Sequence, residues 1–430
     1  MQNITSRKGG LASLSPLFIF IALYFTTSII SGDFYKMPIS VAFLLTAIYA
    51  VGIGGGRKLK TNIEILGKGA SKGNIMLMLW IFIMAGAFAN SAKEIGSIDA
   101  TVSLMLSIMP DSLIVPSLFL ATCLISMSIG TSVGTIMALV PIAAGIAEST
   151  GMDVAMMTGV VVGGAFFGDN LSFISDTTIA ATNSQECSMS DKFRVNIFIT
   201  VPAAMAILCL YTVLGFESHA TVKPGDAPLL MVLPYIVVLA TAIMGVDVFV
   251  ILTLGIVLTG VIGICTAVTD VYGWLAMMGS GIMSMGELII ITMLAGGIFE
   301  IVRRRGGIDY IINGISHRIH GKRMAETVIG ALVATVDLCT ANNTVAIISV
   351  GNIARQISQR FGLDNRKAAC LLDTCSCCIQ GILPYGAQLL LAGGLAGLSP
   401  VQIIPYTYYN MALVVCVALS IIFRYPRRYS

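Results

Sequence analysis

Charge is what this chain lacks. Lys, Arg, Asp and Glu together make up 11% of its 430 residues, against about 25% in a soluble domain. That scarcity excludes a water-facing globular surface. With 56% hydrophobic residues and a mean hydropathy of +0.90, the chain reads as a polytopic membrane protein with little mass outside the bilayer. The net charge of +3 carries no nucleic-acid reading, because the basic residues sit in short loops between apolar runs. Membrane lipid is the expected surrounding, and nucleic acid is not an expected partner. Histidine is scarce too: His219, His317 and His320 all fall in predicted loops. No nucleotide-binding Gly-x-x-x-x-Gly-Lys-Ser/Thr motif is present, which argues against a primary pump, and no cofactor is expected. Nor is a cleavable leader visible. Arg7 and Lys8 precede the apolar run 11–30, which is long enough to span and has no small-residue cleavage site after it.

The ten cysteines do not form a disulfide framework. Cys123, Cys209, Cys265, Cys339, Cys370 and Cys416 lie in apolar runs, where cysteine acts as a small hydrophobe. Cys375-Ser376-Cys377-Cys378 is denser, but a metal site needs ligands converging from several directions, and no histidine lies nearby. Small residues that let helices approach closely are the better reading.

One stretch breaks the apolar monotony. Residues 168–178, Gly-Asp-Asn-Leu-Ser-Phe-Ile-Ser-Asp-Thr-Thr, carry two carboxylates, an amide and four hydroxyls. An apolar run, 154–167, precedes them, and a mostly apolar or small stretch, 179–182, follows. A charge at the bilayer centre costs about 2.5–3.5 kcal/mol even on the lenient insertion scale. A chain that places two there has an ion or a substrate to hold. The competing reading is a helix end at the interface, capped by Asp and Ser; the apolar flanks on both sides weigh against it.

The chain also repeats itself. Residues 84–99 align without gaps on 294–309, and 146–153 align on 357–364, at offsets of 210 and 211. The implied units are a first repeat, 1–216, a polar linker, 217–227, and a second repeat, 228–430. Basic residues alternate sides between them. Loop 57–72 carries Arg57, Lys58, Lys60, Lys68 and Lys72, while its counterpart, 265–272, carries none. In the next loop, 93–111 has a single lysine, whereas its counterpart carries Arg303, Arg304, Arg305, Arg318, Lys322 and Arg323. Basic loops stay cytoplasmic, so equivalent loops face opposite sides and both termini lie inside. The spacing predicts helices near 14–31, 38–56 and 74–92, an interrupted hairpin over 113–147, a broken helix over 154–183 and a last helix over 195–215. The expected fold is an all-α polytopic membrane protein of two inverted repeats with interrupted helices and hairpins, in about 10–12 membrane segments. Secondary transporters share this architecture, with their site near the midplane.

Four breaks are expected, around 130–134, 168–178, 340–344 and 380–388. Breaks matter because freed carbonyls and helix ends bind ions at membrane depth. Sodium is a hard cation that takes carboxylate, amide, hydroxyl and carbonyl oxygens. Asp169, Asn170, Ser172, Ser175, Asp176 and Thr177 supply these in the first repeat, with Thr131 at the hairpin tip. In the second repeat Asn342, Asn343, Thr344 and Gln380 fall in breaks. Asp337 and Asp373 fall inside apolar runs and have no acidic counterparts in the first repeat. For those two acids a structural, hydrogen-bonded role weighs equally. A carboxylate in a low dielectric can hold either a proton or a metal ion near neutral pH, and competition between the two gives antiport.

Residues 163–178, Gly-Gly-Ala-Phe-Phe-Gly-Asp-Asn-Leu-Ser-Phe-Ile-Ser-Asp-Thr-Thr, resemble the signature of the NhaC-type sodium/proton antiporters, G-A-x-F-G-D-x-x-S-P-I-S-D-T-T. Phe173 departs from it where a proline is expected, which points to a gentler or displaced break. The resemblance implies membership of the ion transporter superfamily. It makes Asp169, Asn170, Ser172, Ser175, Asp176 and Thr177 the ion and substrate residues, with Asp169 and Asp176 on the transported sodium. Some members exchange organic acids, such as malate for lactate, or amino acids, so a small organic acid or amino acid stays open as cargo. A homodimer stays open as well.

Other classes fit less well. An intramembrane aspartyl protease also needs two buried Asp residues, but Phe166 stands where its Gly-x-Gly-Asp motif needs the first glycine. A channel is conceivable, yet four broken helices meeting at one site suit alternating access better. The reading is a non-enzymatic antiporter of the cytoplasmic membrane that exchanges sodium for protons.

Overall fold

A computed structural model describes residues 10–31, 37–53, 59–108, 111–172, 175–217, 228–244, 246–310 and 321–429. The described chain is helical, with no strand among the described residues. The helices of the first half are Ser15–Ser31 (α1), Ile39–Gly52 (α2), Leu59–Ala70 (α3), Gly73–Glu94 (α4), Ser97–Ile108 (α5), Ile114–Ile129 (α6), Ser132–Thr150 (α7), Val154–Leu171 (α8), Asp176–Gln185 (α9) and Met189–Glu217 (α10). The second half has Leu229–Ile243 (α11), Val248–Cys265 (α12), Val271–Ser284 (α13), Gly286–Arg304 (α14), Lys322–Thr340 (α15), Asn343–Phe361 (α16), Asn365–Gln380 (α17), Ala387–Ala396 (α18), Pro400–Ile403 (α19) and Tyr408–Phe423 (α20). Among the described residues, five helical stretches are long and apolar enough to cross a membrane alone, and two bent helix pairs bring the number to seven. Shorter apolar helices accompany them. This is an all-α, multi-pass membrane protein.

All four expected breaks exist. α6 and α7 part at Gly130-Thr131, and α15 and α16 part at Ala341-Asn342. α8 stops at Leu171 and α9 starts at Asp176, while α17 stops at Gln380 and α18 starts at Ala387. The local backbone devices recur at the 211-residue spacing. Thr131 and Asn342 are both extended N-caps, at φ −148° and −153°. Gly151 and Gly362 both end helices in the left-handed region, at φ 72° and 65°, where only glycine is free of Cβ strain. Asp153 and Asp364 then cap the next helices, accepting from Ala155 N and Arg366 N at 2.8 and 2.9 Å.

Small residues set how closely these helices pack. A Cβ on Gly164 would meet Thr122 Cβ at 2.7 Å, and one on Gly168 would meet Ser126 Oγ at 2.0 Å, so α8 lies almost backbone-to-backbone on α6. In the second half the roles swap. Gly330 of α15 faces Cys375 of α17, whose Sγ lies 2.9 Å from where a Cβ would stand. The dense cysteines are packing residues: Cys375, Cys377 and Cys378 are buried free thiols on α17.

Two expectations fail. Loop 57–72 contains the amphipathic helix α3, and loop 93–111 contains α5. α3 escapes notice because its lysines dilute a narrow apolar face, yet Gly69 backs directly onto Gly296 and Gly297 of α14. α5 escapes because Asp99 and its serines mask a buried face; Ser97 donates from Oγ to the Met231 carbonyl at 2.6 Å and Val102 is buried. The linker 217–227, apart from Glu217, lies outside the described residues, as do Phe173 and the three histidines.

Candidate ion site

The breaks converge on one cavity of about 380 Å³. Thr131 and Ser132 line it from the α6–α7 break, and Asp169, Ser175, Asp176 and Thr177 line it from the α8–α9 break. Asn342, Asn343 and Thr344 contribute from the α15–α16 break, and Gln388 from the first turn of α18. Leu77, Met78 and Ile81 of α4 close it with apolar surface. Two carboxylates face this space, and no Lys or Arg is among its lining residues. The wall thus offers negative charge and neutral oxygens, a donor set for a hard cation.

Asp169 sits at the back of the cavity and is 3% exposed. Its Oδ1 accepts from the Ser132 backbone N–H at 2.9 Å and from Ser175 Oγ at 3.3 Å. The first bond ties the carboxylate to the N-terminal end of α7, where helix N–H groups lack internal partners and the dipole favours an anion. Ser175 Oγ lies 3.0 Å from Thr177 Oγ1, which completes a hydroxyl pair beside the carboxylate. Asp176 is placed differently. It is the first residue of α9 and is exposed to the cavity, so it also stabilises that helix end.

A polar thread runs behind Asp169 and joins the two halves. Gln380 donates from Nε2 to the Ala341 carbonyl at 3.0 Å and to Gln388 Oε1 at 2.9 Å. Gln388 donates from Nε2 to Ser132 Oγ at 3.1 Å, and the Ser132 N–H holds Asp169. The tips of both hairpins are thereby linked through two buried glutamines.

The remaining candidates lie off the cavity. Asn170 turns away, donating to the Phe166 carbonyl at 2.9 Å and to Tyr409 Oη at 3.3 Å. Ser172 donates to the Met127 carbonyl at 3.0 Å. Gln380 acts through Gln388. Asp337 is fully buried, and neither of its carboxylate oxygens has a hydrogen-bond partner among the described residues. Asp373 is fully buried and forms a 2.8 Å ion pair with Lys192.

Lys192 is the group that sequence reasoning missed. It stands in the polar stretch before the expected last helix, but α10 begins at Met189 and takes it inside. A signal existed: Lys192, Asn196 and Thr200 recur every four residues and are all buried, whereas Ser190 and Arg194 on the same helix are exposed.

The sodium/proton antiporter family model matches residues 8–216 and 226–426. The chain belongs to the Na+/H+ antiporter family. Among curated relatives, the malate-2H+/Na+-lactate antiporter of Bacillus subtilis (strain 168) is 20% identical, over 96% of this chain and 93% of that one. The Na+/H+ antiporter NhaC of the same organism is 24% identical, over 78% of this chain and 80% of that one. Among solved structures, the Alcanivorax borkumensis YdaH transporter covers 96% of this chain and 99% of that chain at 13% identity, with a TM-score of 0.44. Family membership makes the chain a transporter rather than an enzyme, with sodium and protons as the transported species and no cofactor.

Proposed function

We propose that this antiporter of the cytoplasmic membrane exchanges sodium for protons at the cavity between the four breaks. Asp169 and Asp176 bind sodium and protons alternately. Ser175, Thr177, Thr131, Asn342, Asn343 and Thr344 supply neutral oxygens around them. One observation carries this reading: two carboxylates and a set of amides and hydroxyls from three breaks face one space that no basic side chain lines among the described residues. Such a wall attracts a cation and repels an anion. The halves 1–216 and 228–430 then act as inverted units rocking around the site, with both termini cytoplasmic.

A second reading is supported by the cavity's size. About 380 Å³ is far more than a bare sodium ion fills, and it would admit a small carboxylate or amino acid travelling with sodium or protons. The malate/lactate relative makes this worth testing.

Proteoliposomes carrying a trapped pH dye separate the two. Proton flux elicited by sodium alone supports exchange of the ions, whereas flux that requires an added organic solute supports the carrier. Asp169→Asn and Asp176→Asn should each abolish sodium-elicited flux in protein that still inserts and folds. Wild-type flux in either variant would overturn the site. Thiol labelling of single cysteines in residues 57–72 and 303–323 tests the inversion, which requires both segments on the cytoplasmic side.

A further inference from the structure

Lys192 lies one shell behind the cavity, and the exchange reading makes no use of it. It is 1% exposed. Its ammonium contacts Asp373 Oδ2 at 2.8 Å, donates to the Asn170 carbonyl at 3.0 Å and donates to Thr178 Oγ1. These oxygens come from three elements: the last turn of α8, the first turn of α9 and the middle of α17. The Asn170 carbonyl is one of those that a helix end leaves without an internal partner. A carboxylate, a backbone carbonyl and a hydroxyl are the ligands a hard monovalent cation takes, and the lysine ammonium is a compact unit charge.

The surroundings are rich in acceptors and poor in donors. Asp373 Oδ1, Asn170 Oδ1 and Asn196 Oδ1 are all buried, and none has a hydrogen-bond partner among the described residues. Asn196 donates from Nδ2 to the Asn170 carbonyl at 2.7 Å and to Asp373 Oδ2 at 3.1 Å. Two of the lysine's three oxygens are therefore held in place by a second donor. The seat does not owe its shape to the lysine alone.

We propose that Lys192 is a built-in cation. Its ammonium fills a second cation seat next to the sodium site, denies Asp373 to ions from solution, and so holds the protein to one bound sodium. The inference rests on the reading of Asp169 as the open sodium site. Removing the ammonium while keeping the oxygens should open the second seat to sodium.

Equilibrium dialysis of the purified full chain against radioactive sodium tests this by counting ions per chain. One sodium is expected in the wild type and none in Asp169→Asn. Two are expected in Lys192→Ala, falling back to one in Lys192→Ala/Asp373→Asn. A folded Lys192→Ala protein that binds one sodium overturns the proposal. Lys192→Ala leaves Asp373 without a counter-charge, so folding is followed by size-exclusion chromatography in sodium, in ethylammonium and in choline. Folding restored by sodium or ethylammonium and not by choline supports the seat. Failure in all three, together with a single sodium in the milder Lys192→Gln, overturns it. No sodium in the wild type, or sodium retained in Asp169→Asn, would instead sink the reading of the Asp169 site.

Discussion

Replacing Gly168 by alanine adds one methyl group next to Asp169, and the geometry fixes where it must go. The new Cβ would stand 2.0 Å from Ser126 Oγ, 2.2 Å from Ser126 Cβ and 2.6 Å from the Ser126 carbonyl carbon. Ordinary contact begins at 3.4 Å, so α8 must withdraw from α6 by about 1.4 Å at this point. A backbone atom is among the obstacles, so no rotamer change relieves the clash. Overpacking of this kind costs about 1–3 kcal/mol. The functional cost should exceed the stability cost. Asp169 moves with the backbone of its neighbour, and its 2.9 Å bond to the Ser132 N–H cannot survive a shift of that size. A misplacement of about 1 Å at a reacting group is worth roughly a hundredfold in rate. Gly168→Ala should therefore lower sodium-elicited proton flux in proteoliposomes about a hundredfold while the protein still folds with a reduced melting temperature. Gly279→Ala is the control, since nothing lies within 4 Å of its Cβ. Adding Ser126→Gly to Gly168→Ala removes two of the three obstacles and should restore part of the flux. Wild-type flux and an unchanged melting temperature in Gly168→Ala would refute the close packing and the lever it gives on Asp169.

Gln388→Ala cuts the thread to Ser132 without touching either carboxylate. Partners one shell away from a bound ion are typically worth about 10–100-fold in affinity, and a loss of about tenfold in sodium affinity is expected from flux titrations. Asp153→Ala removes the cap of α8 and should cost about 1 kcal/mol, read as a lower melting temperature with sodium affinity retained. In the loop before α17, burial pushes the Asp364 carboxyl up, but hydrogen bonds from the Arg366 side chain and backbone outweigh it and hold the group below its ordinary range. A depressed folded value stabilises above the unfolded value, near pH 4, and that gain is lost as the pH falls through the folded one. Arg366→Gln should thus be less stable than the parent at pH 6 by about 0.5 kcal/mol, the size of a partly exposed pair. The difference should narrow below pH 4 and close once the pH is under the folded value, and a gap that persists there would contradict the pairing.

The breaks were legible in the sequence because hydrocarbon makes them costly. A Gly-Asp-Asn or Ala-Asn-Asn cluster inside an apolar run has few causes; the first falls in the last turn of α8, just before its break, and the second parts α15 from α16. Composition says little about helices that lie on other helices. α3 is too charged and α5 too short to read as spans, and their buried faces are set by tertiary partners, some more than 100 residues away, such as Met231 for Ser97. Side-chain direction was the other gap. Asn170 and Asp169 are adjacent in sequence, but one faces Tyr409 and the other the cavity. Lys192 was hidden by its neighbours. Ser188, Asp191 and Arg194 mark a polar loop by type, and only the four-residue recurrence of Lys192, Asn196 and Thr200 separates the buried face from the wet one.

The thread behind Asp169 has a direction. Every link donates toward the carboxylate: the Gln380 amide to Gln388, the Gln388 amide to Ser132, and the Ser132 backbone N–H to Asp169. Side-chain and backbone amides are fixed donors and do not hand their protons on. The rear of Asp169 is therefore an insulator rather than a wire. If Asp169 exchanges sodium and protons as proposed, its protons must come and go from the cavity side, past Ser175 and Asp176, by the same door as the ion they compete with.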